Sequence, residues 1–246
     1  TQVTLDTGVL LISAKAYFGS DTGGGADTWA KISWAPNATT ITPAGTSVIN
    51  GFILDGIDST IGISKVGINL DADQFVTVRN VLIYQQRYAI RFNNVANNNI
   101  IESSVFHTNR VGVYMLLNSD FNTIRGNMSR NNELIGYQMS NASNNTLVGN
   151  RADNNYQDGF SIDPNSDSNV FRGNFATNNT KAGFKFDQAK YNQVRGNRSV
   201  GNDFGLQLTL SSGNKFTQND LLGNDTGIQI ENAADSEPVF QNNISG

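Results

Sequence analysis

Residues 159–187 read GFSIDPNSDSNVFRGNFATNNTKAGFKFD, one full period of the chain and the start of the next. A glycine opens a five-residue run with apolar residues second and fourth, Gly159-Phe160-Ser161-Ile162-Asp163. The run returns 24 residues later as Gly183-Phe184-Lys185-Phe186-Asp187. Between the two lie Asn169 and Asn174, flanking Phe171, and then Asn179 five residues further on.

The same frame extends in both directions. Openings fall at Gly67, Ala89, Gly112, Gly136, Gly159, Gly183, Gly205 and Gly227, in steps of 22 to 24 residues. The second positions are Ile68, Ile90, Val113, Tyr137, Phe160, Phe184, Leu206 and Ile228; the fourth are Leu70, Phe92, Met115, Met139, Ile162, Phe186, Leu208 and Ile230. All are apolar or aromatic, whereas the residues between them are mostly polar. Period-two alternation of this kind marks a strand, because a helix would turn the second and fourth positions to different faces.

Paired asparagines recur at Asn122/Asn127, Asn145/Asn150, Asn169/Asn174, Asn192/Asn197 and Asn214/Asn219, each pair around one apolar residue. The spacing suits corners between short strands, where Asn tolerates a left-handed backbone. Stacked at equivalent corners, the amides can bond to those above and below as a ladder. Ser129, Ala152, Ala176 and Ser199 recur two positions after the second Asn and predict a tightly packed third side.

Three short strands per coil, stacked about 4.8 Å apart, predict a right-handed single-stranded parallel β-helix, an all-β solenoid of nine or ten coils. Residues 48–246 fit this frame, with Val48 to Ile57 as an early coil. Residues 1–47 fit no repeat and are expected to form an irregular N-terminal cap or an atypical first coil, since a bare solenoid end exposes unpaired backbone. The last coil reaches Gly246 without a cap pattern, so a longer parent chain or homo-oligomer contacts through the β-helix ends or faces are expected. Thr1 follows no signal-peptide pattern; such a segment is expected to be absent or removed.

Composition narrows the function classes. Charged residues are 15% of the chain and the net charge is −4, which argues against a nucleic-acid partner. No apolar run approaches the roughly 18 residues that span a bilayer. Cys is absent and His107 is the single histidine, so thiolate sites and the usual zinc or copper sites are excluded. His107 lies in a turn-like stretch and reads as a corner residue rather than a catalyst. The sequons at Asn127 and Asn197 coincide with the asparagine ladder, which explains them better than glycosylation does.

Stacking in register turns outward positions into columns. The third-position column runs Asn69, Arg91, Tyr114, Gln138, Ser161, Lys185, Gln207, Gln229; the fifth places Asp163 beside Asp187 on adjacent coils. Carboxylates this close raise one another's pKa unless a cation neutralises them. As a hydrolase, Asp163 and Asp187 would be acid and nucleophile. As a lyase, they would hold a hard cation such as Ca²⁺, with Lys185 or an arginine abstracting a proton. In the plainest alternative Lys185 only salt-bridges the two aspartates on a solvated face. Arg91 and Tyr114 on this face, and the stacked Arg172 and Arg195 on the second strand, are candidate substrate-binding residues, by sugar stacking and bidentate anion contacts.

The N-x-Φ-x-G-N…N…G-Φ-x-Φ repeat resembles that of the pectate-lyase-like superfamily of parallel β-helices over residues 48–246. That group includes polysaccharide lyases, mannuronan epimerases, NosD-type copper-binding proteins and phage tailspikes. The resemblance implies a secreted, periplasmic or cell- or virion-surface protein that binds or processes an extended, acidic polysaccharide. The alternative it implies is a non-catalytic β-helix: a fibre segment, an adhesin or an engineered scaffold. The epimerase motif, Y-G-F-D-P-H followed on the next coil by G-F-x-x-D, is similar in its second part to Gly159–Asp163. The preceding coil reads Ile135-Gly136-Tyr137-Gln138-Met139-Ser140, without the motif's Tyr, Asp and His at matching positions, so only Asp163 carries over.

Overall fold

The computed structural model describes residues 3–4, 10–12, 30–33, 39–56, 66–232 and 239–245. Their strands form three parallel sheets of ten strands each, every third strand in sequence joining the same sheet. This is the predicted all-β parallel β-helix: eight regular coils open at the residues named above, and the flanking strands extend the stack.

The five-residue runs lie in the first sheet. Its strands begin at the residue before the opening glycine, as in Val111–Leu116 and Ala182–Asp187. Registers such as Arg91↔Tyr114, Tyr114↔Gln138, Gln138↔Ser161 and Ser161↔Lys185 stack the columns as the repeat predicts. The second sheet holds the residues between paired asparagines, as in Val170–Arg172. The third holds those after the second asparagine, as in Phe175–Thr177.

The alternating positions point into one continuous core. The second- and fourth-position residues are buried except on the last coil, where Ile228 is partly buried and Ile230 is 52% exposed. Phe160 stacks between Tyr137 and Phe184, with ring centroids 4.8 and 4.7 Å away and planes nearly parallel. Phe171 meets Phe186 edge-on, as does Phe216. Aromatic residues at core positions of successive coils thus meet as parallel or edge-on ring pairs within 4.7 to 5.6 Å, the centroid range of favourable aromatic contacts.

The asparagines are buried and fully employed. Asn150 accepts from the main-chain N–H of Asn127 at 3.1 Å, and donates to the Ile124 carbonyl at 2.7 Å and to Asn174 Oδ1 at 3.1 Å. Equivalent bonds link Asn174 to Asn197 and Asn197 to Asn219. One side chain per corner therefore satisfies backbone groups that the turn removes from the sheets. Asn127 and Asn197, the sequon residues, are buried in this ladder.

The small third-side residues are needed by the openings. A Cβ on Gly159 would lie 2.8 Å from the Gly183 carbonyl oxygen and 3.1 Å from Ala176 Cβ. Opening glycine and small third-sheet residue are thus two halves of one close approach. In the N-terminal region, Val3–Thr4, Leu10–Ile12, Ala30–Ser33 and Thr39–Thr42 each join one of the three sheets. The remainder of the expected cap over residues 1–47, apart from residues 43–47, lies outside the described residues. Among the described residues no helix is long and apolar enough to cross a membrane.

Candidate functional site

The outer face of the first sheet is polar along its length, and its charges gather around the coil that begins at Asp158. The strand of this coil, Phe160–Ile162, is shorter than its six-residue neighbours. Asp163 leaves it just before Pro164, whose ring nitrogen cannot donate to a sheet. Asp163 still donates its N–H to the Met139 carbonyl at 2.8 Å, so its side chain stays on the sheet face. Ser161 Oγ donates to Asp163 Oδ1 at 2.9 Å, and Gln138 Nε2 donates to Asp163 Oδ2 at 2.8 Å. Both oxygens of this carboxylate are held in place by neutral donors.

The expected trio is thereby divided. Lys185 Nζ lies 3.7 Å from Asp187 Oδ2 and pairs with that carboxylate, while Asp163 is fixed by its own coil and the one before. Asp187 is in register with Thr209 of the following coil. Lys185 is in register with Ser161, so all three groups remain on one face.

Asp158 is the residue that sequence reading missed. It occupies the position before the opening glycine, where other coils carry Val66, Tyr88, Val111, Ile135, Ala182, Phe204 and Thr226. Its signal was available: it is the one charged residue in that column. The side chain is 5% exposed, and its Oδ1 accepts the Ala182 N–H at 3.0 Å. Burial pushes its carboxyl pKa above the usual range. The Ala182 bond and the Lys185 and Lys181 ammonium groups oppose that rise, and the Asp163 charge adds to it.

Tyr114 completes the face two coils earlier. Its ring lies 5.1 Å from that of Tyr88, tilted by 33°, so two aromatic side chains border the polar cluster. Burial raises the pKa of its hydroxyl, with smaller contributions in the same direction from Tyr88 and Asp163. A hydrogen bond with the Ser140 side chain and the charge of Arg87 oppose the rise. Arg91, beside Tyr114 in register, donates from Nε to Asn69 Oδ1 at 2.8 Å.

The other predicted residues sit elsewhere. Arg172 and Arg195 stack in register, but on the second sheet, a different face of the solenoid. His107 is not at a corner: it ends the third-sheet strand Val105–His107 and stacks on Tyr84, with centroids 5.0 Å apart. Burial lowers its pKa, and Arg130 acts in the same direction. Among the described residues no group of three or more His, Cys, Asp or Glu side chains converges to hold a metal.

Fold and repeat together define a right-handed parallel β-helix with a polar, acid-rich strip along its first sheet. The chain belongs to the right-handed beta helix family, whose profile matches residues 44–199. A second profile, that of the periplasmic copper-binding protein NosD, matches residues 157–246. That segment contains no His, Cys or Met, so its donor set does not fit copper. No curated protein sequence matches significantly.

Among solved structures the chain is similar to the periplasmic alginate epimerase AlgG, at 17% identity and TM-score 0.70 over 88% of this chain. It spans about half of that protein, 55% of its length. The mannuronan C-5 epimerase AlgE6 A-module of Azotobacter vinelandii matches at 12% identity and TM-score 0.59, over 91% of this chain and 70% of that one. Bacteriophage CBA120 tailspike protein 2 matches at 15% identity and TM-score 0.59, over 80% and 34%. These likenesses define the shared fold.

Proposed function

We propose that the outer face of the first sheet binds an extended, acidic polysaccharide and acts on it by acid–base chemistry of the lyase or hydrolase type, centred on Asp163. The observation that carries this reading is the contrast within one short stretch. Asp158 is buried, which pushes its carboxyl pKa up, whereas Asp163 sits nearby with both oxygens anchored by Ser161 and Gln138. Two neighbouring carboxyl groups in unlike surroundings, one buried and one on the sheet face, are the ordinary basis of acid–base catalysis on a sugar. Tyr114 supplies a hydroxyl and an aromatic surface beside them, and Lys185 a positive charge.

The strip carries more acidic than basic groups, so a polyuronate meets repulsion there unless a cation intervenes. Asp163 and Asp187 are the residues that would hold a Ca²⁺, whose charge would neutralise a substrate carboxylate. The fold comparisons support a carbohydrate setting, since alginate and mannuronan epimerases share the architecture. The polysaccharide-facing role accords with a secreted, periplasmic or surface location.

The test is incubation with pectate, alginate, and neutral and sulfated glycans, with Ca²⁺ or with chelator, reading unsaturated-product absorbance and reducing ends. Turnover of an acidic glycan that disappears in Asp163→Asn is the expected result. Unsaturated products identify a lyase, and reducing ends without them a hydrolase. Neither binding nor turnover on any glycan would overturn the proposal. Binding without turnover favours a second reading, a structural β-helix, which the near-constant 22- to 24-residue coil supports.

A further inference from the structure

The strands of the second sheet carry a charge pattern opposite to that of the first. Arg79, Arg125, Arg172, Arg195 and Lys215 face a single carboxylate, Glu102, in a chain whose net charge is −4. Glu102 is committed to Arg125, whose Nε and Nη2 lie 2.7 and 2.5 Å from its Oε2. Among the described residues no carboxylate forms an ion pair with Arg172, Arg195 or Lys215 in the C-terminal half of the face. Arg172 and Arg195 are direct register partners, and Lys215 is in register with Gln193 on the strand that carries Arg195. Like charges stacked about 4.8 Å apart repel, so an arrangement of this kind is relieved by an anion placed across it.

We propose that this face is a second site, separate from the first-sheet strip, that binds an anionic glycan through one sulfate or carboxylate group per coil. The one-coil step between Arg172 and Arg195 is close to the length of one sugar unit in an extended chain. Each guanidinium offers a planar fork that accepts such an oxyanion in bidentate fashion. Arg195 is pre-oriented, because its Nε donates to Gln218 Oε1 at 3.0 Å and leaves its terminal nitrogens for a ligand. Beside it lies a shallow cavity of about 240 Å³. Gln193, Thr217, Gln218 and Gln241 line it together with Arg195 and Lys215. Amides and a hydroxyl among cations match a sugar that carries both hydroxyl and acidic groups. A nucleic acid is disfavoured instead by the chain's net charge of −4, which opposes a partner with so dense a line of phosphates.

The test measures binding of dextran sulfate, polygalacturonate, neutral dextran and duplex DNA to the intact chain in chelator, at low and raised salt. Working without Ca²⁺ separates this site from the first-sheet reading. Dextran sulfate or polygalacturonate is expected to bind with affinity that falls as salt rises, and neutral dextran is not. The Arg172→Gln/Arg195→Gln double variant is expected to lose about 100-fold in affinity, roughly tenfold per charge-assisted contact. Arg130→Gln/Arg198→Gln removes the same charge from the third sheet and is expected to bind like wild type. Asp163→Asn is expected to leave this binding intact while it abolishes first-sheet turnover. Equal loss in both arginine pairs would overturn the proposal, because it would reduce the effect to net charge. Preferential binding of DNA through Arg172 and Arg195 would overturn the glycan assignment, as would failure to bind either anionic glycan.

Discussion

Replacing Asn150 with alanine tests the claim that the asparagine ladder, more than any corner contact, holds adjacent coils in register. In the native structure the side chain serves three neighbours. Its Oδ1 accepts the Asn127 main-chain N–H, and its Nδ2 donates to the Ile124 carbonyl and to Asn174 Oδ1. Asn174 Oδ1 keeps a second donor, the Asn150 main-chain N–H at 2.9 Å, and this bond survives the substitution. The Asn127 main-chain N–H loses its acceptor at a site with 0% exposure. The Ile124 carbonyl keeps the ladder bond set by the Arg125↔Val148 register, and the Asn127 side chain, which also donates to Asn150 Oδ1, keeps the Ile101 carbonyl. A buried group left without a bond costs about 1–3 kcal/mol, so Asn150→Ala should destabilise by about 1–3 kcal/mol. That is a sizeable share of the 5–15 kcal/mol typical of a whole domain. Urea titration followed by circular dichroism reads the effect. Thr146→Ala, at an outward-facing position two residues before Val148, is the control and should stay within about 0.5 kcal/mol of wild type. A cost below about 1 kcal/mol for Asn150→Ala would refute the reasoning, since it would mean that water or a relaxed turn replaces the amide freely.

Three further outcomes follow from the same geometry. Gly159→Ala must push a Cβ against the Gly183 carbonyl and should cost about 1–3 kcal/mol; Gly149→Ala, where nothing lies within 4 Å and only φ of +62° opposes it, should cost about 1 kcal/mol. Val95→Asn should stabilise by about 1 kcal/mol, because Val95 is a β-branched residue at φ 66° and 46% exposed, where Asn tolerates the backbone better. Thermal unfolding would read this as a Tm increase of about 2–4 °C. The folded-state pKa of Asp158 is raised above its unfolded value, so the folded form holds its proton more tightly and stability falls as pH rises through that interval. Asp158→Asn retains an acceptor for the Ala182 N–H and should therefore unfold at higher temperature than wild type near neutral pH. The difference should close as pH falls to the ordinary carboxylate range, and a gap that widened on acidification would contradict the sign.

The architecture was legible because the repeat is written in the residues that make it. Core positions, corner asparagines and small third-side residues each recur at fixed offsets, and stacking converts an offset into a contact. The columns Arg91–Tyr114–Gln138–Ser161–Lys185 and Arg172–Arg195 followed directly from that alignment. The candidate site was only half legible. Alignment placed Asp163, Lys185 and Asp187 on one face, yet the choice of partners depends on side-chain reach, which a column does not encode. Lys185 turned to Asp187, while Gln138 and Ser161 took Asp163. Asp158 escaped because the frame began at the glycine, one residue too late, although the strands of most coils begin before it. His107 was misplaced because a lone polar triplet, His107-Thr108-Asn109, reads as a turn, whereas its neighbours Tyr84 and Arg130 make it the end of a strand.

The most direct test of the central claim is a crystal structure of the chain soaked with a short oligouronate in the presence of Ca²⁺. The account predicts sugar density running along the first sheet across Tyr114, Gln138 and Asp163, with a uronate unit adjacent to Asp158. Density confined to another face, or a first sheet left bare at saturating ligand, would contradict it.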